Sequence, residues 1–116
     1  INVLPARLAE GQRVLFADTP FHCPHEGAAG HEVNVYLRPE DVLARPIAPG
    51  DCNVFEAQIE KIEFLGSYCL VHVRSAALGS QLLTVYLSLN FLSEQQLEVG
   101  ARLPLRLLPE RMRIFA

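Results

Sequence analysis

The sequence predicts a small all-β fold, either a barrel or a sandwich. Hydrophobic and polar residues alternate along most of the chain, which is typical of strands with one solvent-facing side. Turns that contain glycine or proline separate these segments. No stretch longer than one or two turns has a clear helical period. Several short strands joined by turns favour a barrel or a sandwich over a helical class.

The first third of the chain is the least regular part. Residues 13–17 and 33–37 have strand patterns. Between them, residues 18–31 are rich in proline, glycine and histidine and are predicted to form a loop. Residues 46–50 read Pro-Ile-Ala-Pro-Gly, which predicts a second connector before the regular strands begin.

The middle of the chain contains the clearest strands. Phe55, Ala57 and Ile59 share one phase, but the pattern slips by one residue near Lys61, which predicts a β-bulge. A glycine turn at Gly66 then leads into the alternating residues 69–74. Residues 76–81 contain Gly-Ser and are predicted to form the loop of the next hairpin.

The last third continues the alternation. One phase runs from residue 83 to residue 91, which predicts a long strand. Ser93 is predicted to cap one short helical turn that ends at Gly100. Residues 103–107 alternate again, and residues 113–115 are predicted to add a final short strand.

Composition limits the classes of function. The chain has 116 residues, of which half are hydrophobic and a fifth are charged, so a globular domain with a real core is expected. Its net charge is −3, which disfavours nucleic-acid binding. The basic cluster comprises Arg102, Arg106, Arg111 and Arg113. Stacking on nucleic-acid bases is an alternative for Tyr36, Tyr68 and Tyr86. Packing at the core rim is favoured, because no basic residues are interleaved with them.

Three cysteines and a histidine-rich segment raise the question of a metal site. The odd number of cysteines and the lack of C-x-x-C spacing favour reduced thiols over a disulfide framework. Imidazole and thiolate groups are good ligands for zinc or copper, but the spacing here matches no standard structural zinc pattern, so an exposed loop without metal is favoured. The weak metal candidates are His22, Cys23, His25 and His31.

The most specific segment reads Val-Tyr-Leu-Arg-Pro-Glu-Asp-Val over residues 35–42. A strand is predicted to end at Arg38, because the residue before a proline is held extended, and Pro39 cannot donate to a ladder. Glu40 and Asp41 then have two alternatives, pairing with Arg38 in a local turn or bridging to another subunit. The local, structural reading is favoured because exposed ion pairs contribute little.

This segment resembles the Arg-Pro-Glu-Asp signature of the TOBE (transport-associated OB) domain, which follows the ATPase domain in many ABC-importer ATP-binding subunits. Other pieces are similar to that family in the same order. They are residues 1–4, residues 57–66 with their glycine turn at Gly66, residues 99–108 and residues 109–115.

The resemblance implies an architecture of two intertwined OB-like β-units. Residues 1 to about 37 and about 107–116 would form unit one, so that the last strand returns to the first unit. Residues from about 46 to about 103 would form unit two. It also implies that the chain is a fragment of a longer protein whose ATPase domain is missing here.

The resemblance further implies a regulatory and dimerising role. The expected partners are a second copy, through the parent ATPase subunit, and the transmembrane permease subunits of an importer. The expected location is cytoplasmic, on the inner face of the cell membrane. No catalytic residue is expected, because the chain lacks the G-x-x-x-x-G-K-[ST] phosphate loop. No cofactor is expected in this chain, and Mg-ATP would bind the parent subunit.

Two further sets of residues are candidates for binding. The alternative function is a free-standing β-barrel that binds a small ligand or an oxyanion, for which the candidates are Arg74, Ser75 and Ser80. The competing interpretation of that segment is a plain hairpin loop. Apolar residues outside the inward phase of their strands form a candidate dimer interface comprising Leu82, Tyr86 and Leu92.

Overall fold

The computed structural model describes residues 1–116, and strands dominate it. The strands are β1 Asn2–Ala9, β2 Arg13–Phe16, β3 Thr19–His22, β4 Glu32–Leu37, β5 Val42–Leu43, β6 Val54–Phe64, β7 Tyr68–Arg74, β8 Leu82–Ser88, β9 Arg102–Leu107 and β10 Arg113–Phe115. One α-helix, α1, covers Leu89–Glu94, and short 3₁₀ turns cover Pro39–Asp41, Ala76–Leu78 and Pro109–Arg111. The all-β prediction is confirmed.

The strands form two five-stranded sheets with matching connectivity. The order is β10-β4-β1-β2-β3 in the first sheet and β5-β9-β6-β7-β8 in the second, and every pairing is antiparallel. In each half of the chain, four strands are followed by a 3₁₀ turn that begins at a proline, Pro39 or Pro109. The second half of the chain therefore repeats the topology of the first.

The two halves exchange their last strands. After the turn at Pro39, β5 pairs with β9 of the second sheet, with Leu43 opposite Arg106. After the turn at Pro109, β10 pairs with β4 of the first sheet, with Arg113 opposite Tyr36. The division into unit one (about 1–37 and 107–116) and unit two (about 46–103) stays a prediction. The strands of the second sheet extend beyond 46–103 at both ends, because β5 precedes residue 46 and β9 continues to Leu107.

One core holds both sheets together. Alternate residues of each long strand point inward, as in β7, where Cys69, Val71 and Val73 are fully buried. Twenty-seven buried hydrophobic residues from both sheets form one continuous cluster. The predicted bulge is confirmed, because the register of β6 against β7 shifts between Ile59 and Lys61.

Two local predictions were wrong. The predicted loop at 18–31 contains β3, an edge strand, where Pro20 is tolerated because one side of the strand has no ladder partner. The predicted strand at 83–91 ends at Ser88, whose Oγ accepts a hydrogen bond of 3.0 Å from the Phe91 N–H. Ser88, and not Ser93, therefore caps the helix. No helix has the length and apolar character needed to cross a bilayer.

Candidate functional site

The Arg-Pro-Glu-Asp segment forms a closed turn at the end of β4. Arg38 is extended, as expected before proline, and the Asp41 N–H donates to the Arg38 carbonyl at 2.9 Å. The Arg38 guanidinium donates two hydrogen bonds to the Asp41 carboxylate, Nε to Oδ2 at 2.9 Å and Nη2 to Oδ1 at 3.2 Å. These bonds hold the pKa of Asp41 below its usual range.

The Glu40 side chain makes no hydrogen bond or ion pair in this turn. Its side chain is exposed, and the partner of Arg38 is Asp41. Both carboxylate oxygens of Asp41 accept hydrogen bonds from Arg38. Arg38, Pro39 and Asp41 therefore form a local structural motif. Whether Glu40 contacts another molecule stays a prediction.

A small cavity opens beside this turn, and we call it the arginine cavity. It measures about 220 Å³ and is lined by Ile1, Tyr36, Leu37, Arg38, Asp41, Arg111 and Arg113. Arg111 Nε lies 4.0 Å from Asp41 Oδ1. Arg111 and Arg113 were predicted to belong to a basic cluster, but not to lie beside Arg38, because only the strand exchange places β10 beside β4.

Gly66 supplies a backbone conformation that the β6–β7 turn requires. Its φ of +97° lies in the left-handed region that favours glycine. The Leu65 N–H donates to the Tyr68 carbonyl at 2.9 Å, which closes the turn. The structure thus gives Gly66 a conformational role.

The three anion candidates lie in one cavity on the outer side of the second sheet. This cavity of about 500 Å³ includes Arg74, Ser75 and Ser80, and also Arg102, which the sequence analysis did not assign to it. Arg74 Nη1 donates to the Ser80 carbonyl at 2.7 Å, and its Nε contacts Glu60 Oε2 at 2.8 Å. The Arg74 side chain is therefore already engaged within the chain.

Ser75 is also satisfied internally. Its hydroxyl is buried, donates to the Glu56 carbonyl at 2.6 Å and accepts from the Ala77 N–H at 3.2 Å. Arg102 pairs with the Glu56 carboxylate at 3.3 Å. An anion entering this cavity would have to compete with Glu56 and Glu60 for the two guanidiniums.

The four weak metal candidates have different surroundings. Cys23 is fully buried in the core, where burial raises its pKa to about 11, so the expectation of an exposed loop was wrong for this residue. The His25 ring lies within hydrogen-bond distance of the carbonyls of Ala9 and Arg13, while His22 and His31 are exposed. No group of three His, Cys, Asp or Glu residues is placed to hold a metal ion.

Two of the three candidate interface residues are exposed, and their role in an interface stays a prediction. Leu82 and Tyr86 are 43% and 39% exposed on the outer face of β8. Tyr86 stacks on Tyr68 of β7 with ring centroids 5.8 Å apart. Leu92 is buried, because α1 turns it into the core beside Phe91, so its assignment to the interface was wrong. We define the outer patch as Tyr68, Leu70, Leu82 and Tyr86.

The paired sheets, the exchanged strands and the Arg38–Asp41 turn define an all-β domain of OB-like type. Residues 35–115 match the model of the TOBE domain family, and the chain belongs to that family.

One relative agrees with this class. The chain is 26% identical over 126 residues to the Fe(3+) ions import ATP-binding protein FbpC 2 of Rhizobium meliloti (strain 1021). That match covers 99% of this chain and 32% of the relative, so the chain spans about a third of that protein's length.

A solved structure supports the fold independently. The cytoplasmic molybdate-binding protein ModG, solved with molybdate bound, superposes with a TM-score of 0.79 at 17% identity. The superposition covers 97% of this chain and 94% of ModG. At this level of identity the likeness establishes the fold alone, and it confirms the predicted OB-like architecture.

Proposed function

We propose that this chain is the regulatory and dimerising domain of the ATP-binding subunit of an ABC importer. The observation that carries the proposal is the match of nearly the whole chain to about a third of an import ATP-binding protein, together with its membership of the TOBE family. In this role the domain supports ATP-driven solute uptake by holding two ATPase subunits together, and it performs no chemistry itself.

The proposal fixes where the other components belong. Mg-ATP binds to the ATPase domain of the parent subunit, because the present chain has no phosphate loop. The transmembrane permease subunits contact the parent subunit, which places the domain in the cytoplasm at the inner face of the membrane. The net charge of −3 and the engaged arginines of the second sheet argue against a role in nucleic-acid binding.

The coding sequence that precedes Ile1 tests the parent assignment. We expect it to encode a nucleotide-binding domain with a G-x-x-x-x-G-K-[ST] loop. A start codon directly before Ile1 would contradict the proposal. Calorimetry of the 116-residue chain with Mg-ATP provides a second test, because tight binding to the chain alone would contradict a purely accessory role.

A second candidate function is binding of a small oxyanion in the cavity of Arg74, Ser75 and Ser80. Two observations favour it: these residues do lie together, and the fold matches that of a molybdate-binding protein. The internal bonds of Arg74 and Ser75 weigh against it, because they leave few free donors.

Titration with molybdate distinguishes the two candidates. Saturable binding that is lost in Arg74→Ala and kept in Arg45→Ala, an exposed arginine outside this cavity, would support the second candidate. Absence of saturable binding leaves the importer domain as the proposed function.

A further inference from the structure

The two halves of the chain repeat each other residue by residue where the exchanged strands pair. Tyr36 of β4 lies opposite Arg113 of β10, and the corresponding pair in the other half is Arg106 of β9 opposite Leu43 of β5. Each pair joins one arginine to one aromatic or apolar residue. The arginine belongs to the inner strand β9 in one half and to the exchanged strand β10 in the other.

The same register extends to the residues that lead into β1 and β6. The β1 residue opposite Tyr36 and the β6 residue opposite Arg106 are both valines, and an asparagine precedes each of them. Asn2 and Asn53 each clamp an edge strand of the other sheet through the side-chain amide. Ile1 therefore corresponds to Cys52, and the place of Asp51 in the repeat falls one residue before Ile1.

In the second half, the segment that leads into β6 covers the arginine of the strand pair. Arg106 Nε donates to the Cys52 carbonyl at 3.0 Å, and Arg106 Nη2 donates to Cys52 Sγ at 3.7 Å. Arg106 Nη1 lies 3.5 Å from a carboxylate oxygen of Asp51, and the Arg106 side chain is only 21% exposed. Two residues of this segment thus engage all three nitrogens of the guanidinium.

In the first half, the arginine of the strand pair has no comparable partner. Arg113 is exposed and makes no ion pair and no side-chain hydrogen bond within the chain. Ile1, the counterpart of the half-buried Cys52, is 79% exposed. Both Arg113 and Ile1 line the arginine cavity, and Tyr36 and Leu37 contribute its apolar part. The cavity therefore lies where the segment leading into the strand is seated in the other half.

The cavity has the size and the charge to receive an acidic residue. Its volume of about 220 Å³ corresponds to about seven waters at roughly 30 Å³ each, so a residue enters without displacing protein groups. Asp41 already accepts two bonds from Arg38 and lies 4.0 Å from Arg111, which leaves Arg113 as the guanidinium without a carboxylate. A guanidinium pairs with a carboxylate through parallel N–H bonds, and Asp51 supplies the carboxylate in the other half.

We propose that the arginine cavity is the docking site of the polypeptide segment that immediately precedes Ile1 in the parent subunit, with a carboxylate at the residue before Ile1 paired to Arg113. The inference rests on the proposed function, in which an ATPase domain precedes this chain. The relative matches this chain over 32% of its own length, so a parent of that size has ample chain outside the domain. Docking covers Ile1 and joins the two domains by an anchored linker instead of a flexible tether.

The test compares the 116-residue chain with the same chain extended by the interdomain residues that its coding sequence places before Ile1. We expect backbone amide NMR shifts to change at residues 36–38 and 111–113, and the Nε–H of Arg113 to exchange more slowly with solvent. The extension is expected to raise the unfolding temperature by about 4 °C, since it adds an ion pair and covers apolar surface.

Variants of the extended chain identify the contact. Arg113→Leu installs the residue found at position 43 of the other half, and we expect it to abolish the gain in unfolding temperature. Replacing the residue before Ile1 by alanine should have the same effect, and the two changes together should cost no more than either alone. Arg102→Leu removes an exposed arginine of the second sheet and is the matched control, with the gain retained.

Two results would overturn the docking proposal. One is an extension with random-coil shifts that leaves residues 36–38 and 111–113 unchanged, and the other is a full gain in unfolding temperature in Arg113→Leu. Either result leaves the proposed function standing when the coding sequence encodes an ATPase domain, whereas a start codon directly before Ile1 removes both. If Arg113→Leu does not fold, Arg113→Gln replaces it, because glutamine keeps the polar character of this exposed position.

Discussion

The side chain of Asn2 takes the place of a strand neighbour for Thr84. Asn2 Nδ2 donates to the Thr84 carbonyl at 2.8 Å, and the Thr84 N–H donates to Asn2 Oδ1 at 2.8 Å. Thr84 lies in β8, an edge strand of the second sheet, whereas Asn2 begins β1 of the first sheet. One amide group therefore satisfies two backbone groups of an open edge and joins the two sheets.

Replacing Asn2 by alanine tests this link. Asn2 is buried, so the variant leaves the backbone groups of Thr84 without their partner, and we expect a loss of about 1–3 kcal/mol in the free energy of unfolding. Chemical denaturation measures the loss. Asn90→Ala, in the exposed face of α1, is the control and should change little. Equal stability of the two variants would show that the link contributes nothing.

Asn53 forms the corresponding link on the other side and adds a backbone constraint. Its side chain exchanges hydrogen bonds of 2.7 and 2.8 Å with the His22 N–H and carbonyl, and its φ is +60°. Asn53→Gly and Asn53→Ala both lose the bonds, but only alanine carries a Cβ that makes the left-handed conformation sterically costly. We expect Asn53→Ala to be less stable than Asn53→Gly by about 1 kcal/mol. Equal denaturation midpoints would rule out a backbone contribution.

The strands were predictable because the inward-facing residues repeat with period two. In β6 the phase slip at Lys61 located the bulge, since a register shift moves side chains to the opposite face. The same rule failed beyond Ser88, because Leu89 and Phe91 continue the strand phase although they lie in a helix. The cap bond from Phe91 to Ser88 decides between the two structures, and apolar spacing does not reveal it.

The arginine cavity could not be predicted from the sequence. Arg38 and Arg113 are brought together only when β10 pairs with β4, a pairing between distant parts of the chain that no local pattern reveals. The local pair of Arg38 with an acidic neighbour was predictable from the adjacent proline turn. The resemblance to the family supplied the return of the last strand, but it did not indicate that β5 crosses in the opposite direction.

The Arg38–Asp41 pair predicts a dependence of stability on pH. Arg38 lowers the pKa of Asp41 in the folded chain, so the pair stabilises the fold fully above the ordinary aspartate pKa of about 3.9. That contribution is lost as the pH falls through the lower, folded value. We expect Asp41→Asn to show a smaller loss of stability than the wild-type chain between about pH 5 and pH 2. Asp18→Asn, at an exposed turn, should follow the wild-type curve.

The end of the chain is expected to be essential for stability, chiefly through Met112. Phe115 is 52% exposed, whereas Met112 is 6% exposed and belongs to the core. Met112→Ala should therefore cost about 2–5 kcal/mol, and Phe115→Ala at most about 2 kcal/mol. Deletion of residues 109–116 removes both and also exposes the edge of β4. Unchanged thermal stability after this deletion would contradict the prediction.

The outer patch predicts that the chain associates into a homodimer. Tyr68, Leu82 and Tyr86 are between 39% and 49% exposed on one face of β7 and β8, where polar residues are expected in a one-sided sheet. A symmetric pair would bury the same patch on both copies.

Leu82→Asp and Tyr86→Asp each place an unpaired charge in that interface and are expected to weaken the dimer by at least about tenfold in sedimentation equilibrium. Val99→Asp, at a turn residue that is 60% exposed, is the matched control and should leave association unchanged. A dimer that survives both patch variants would point to pairing through a sheet edge, and a monomer at millimolar concentration would remove the support for association through this chain.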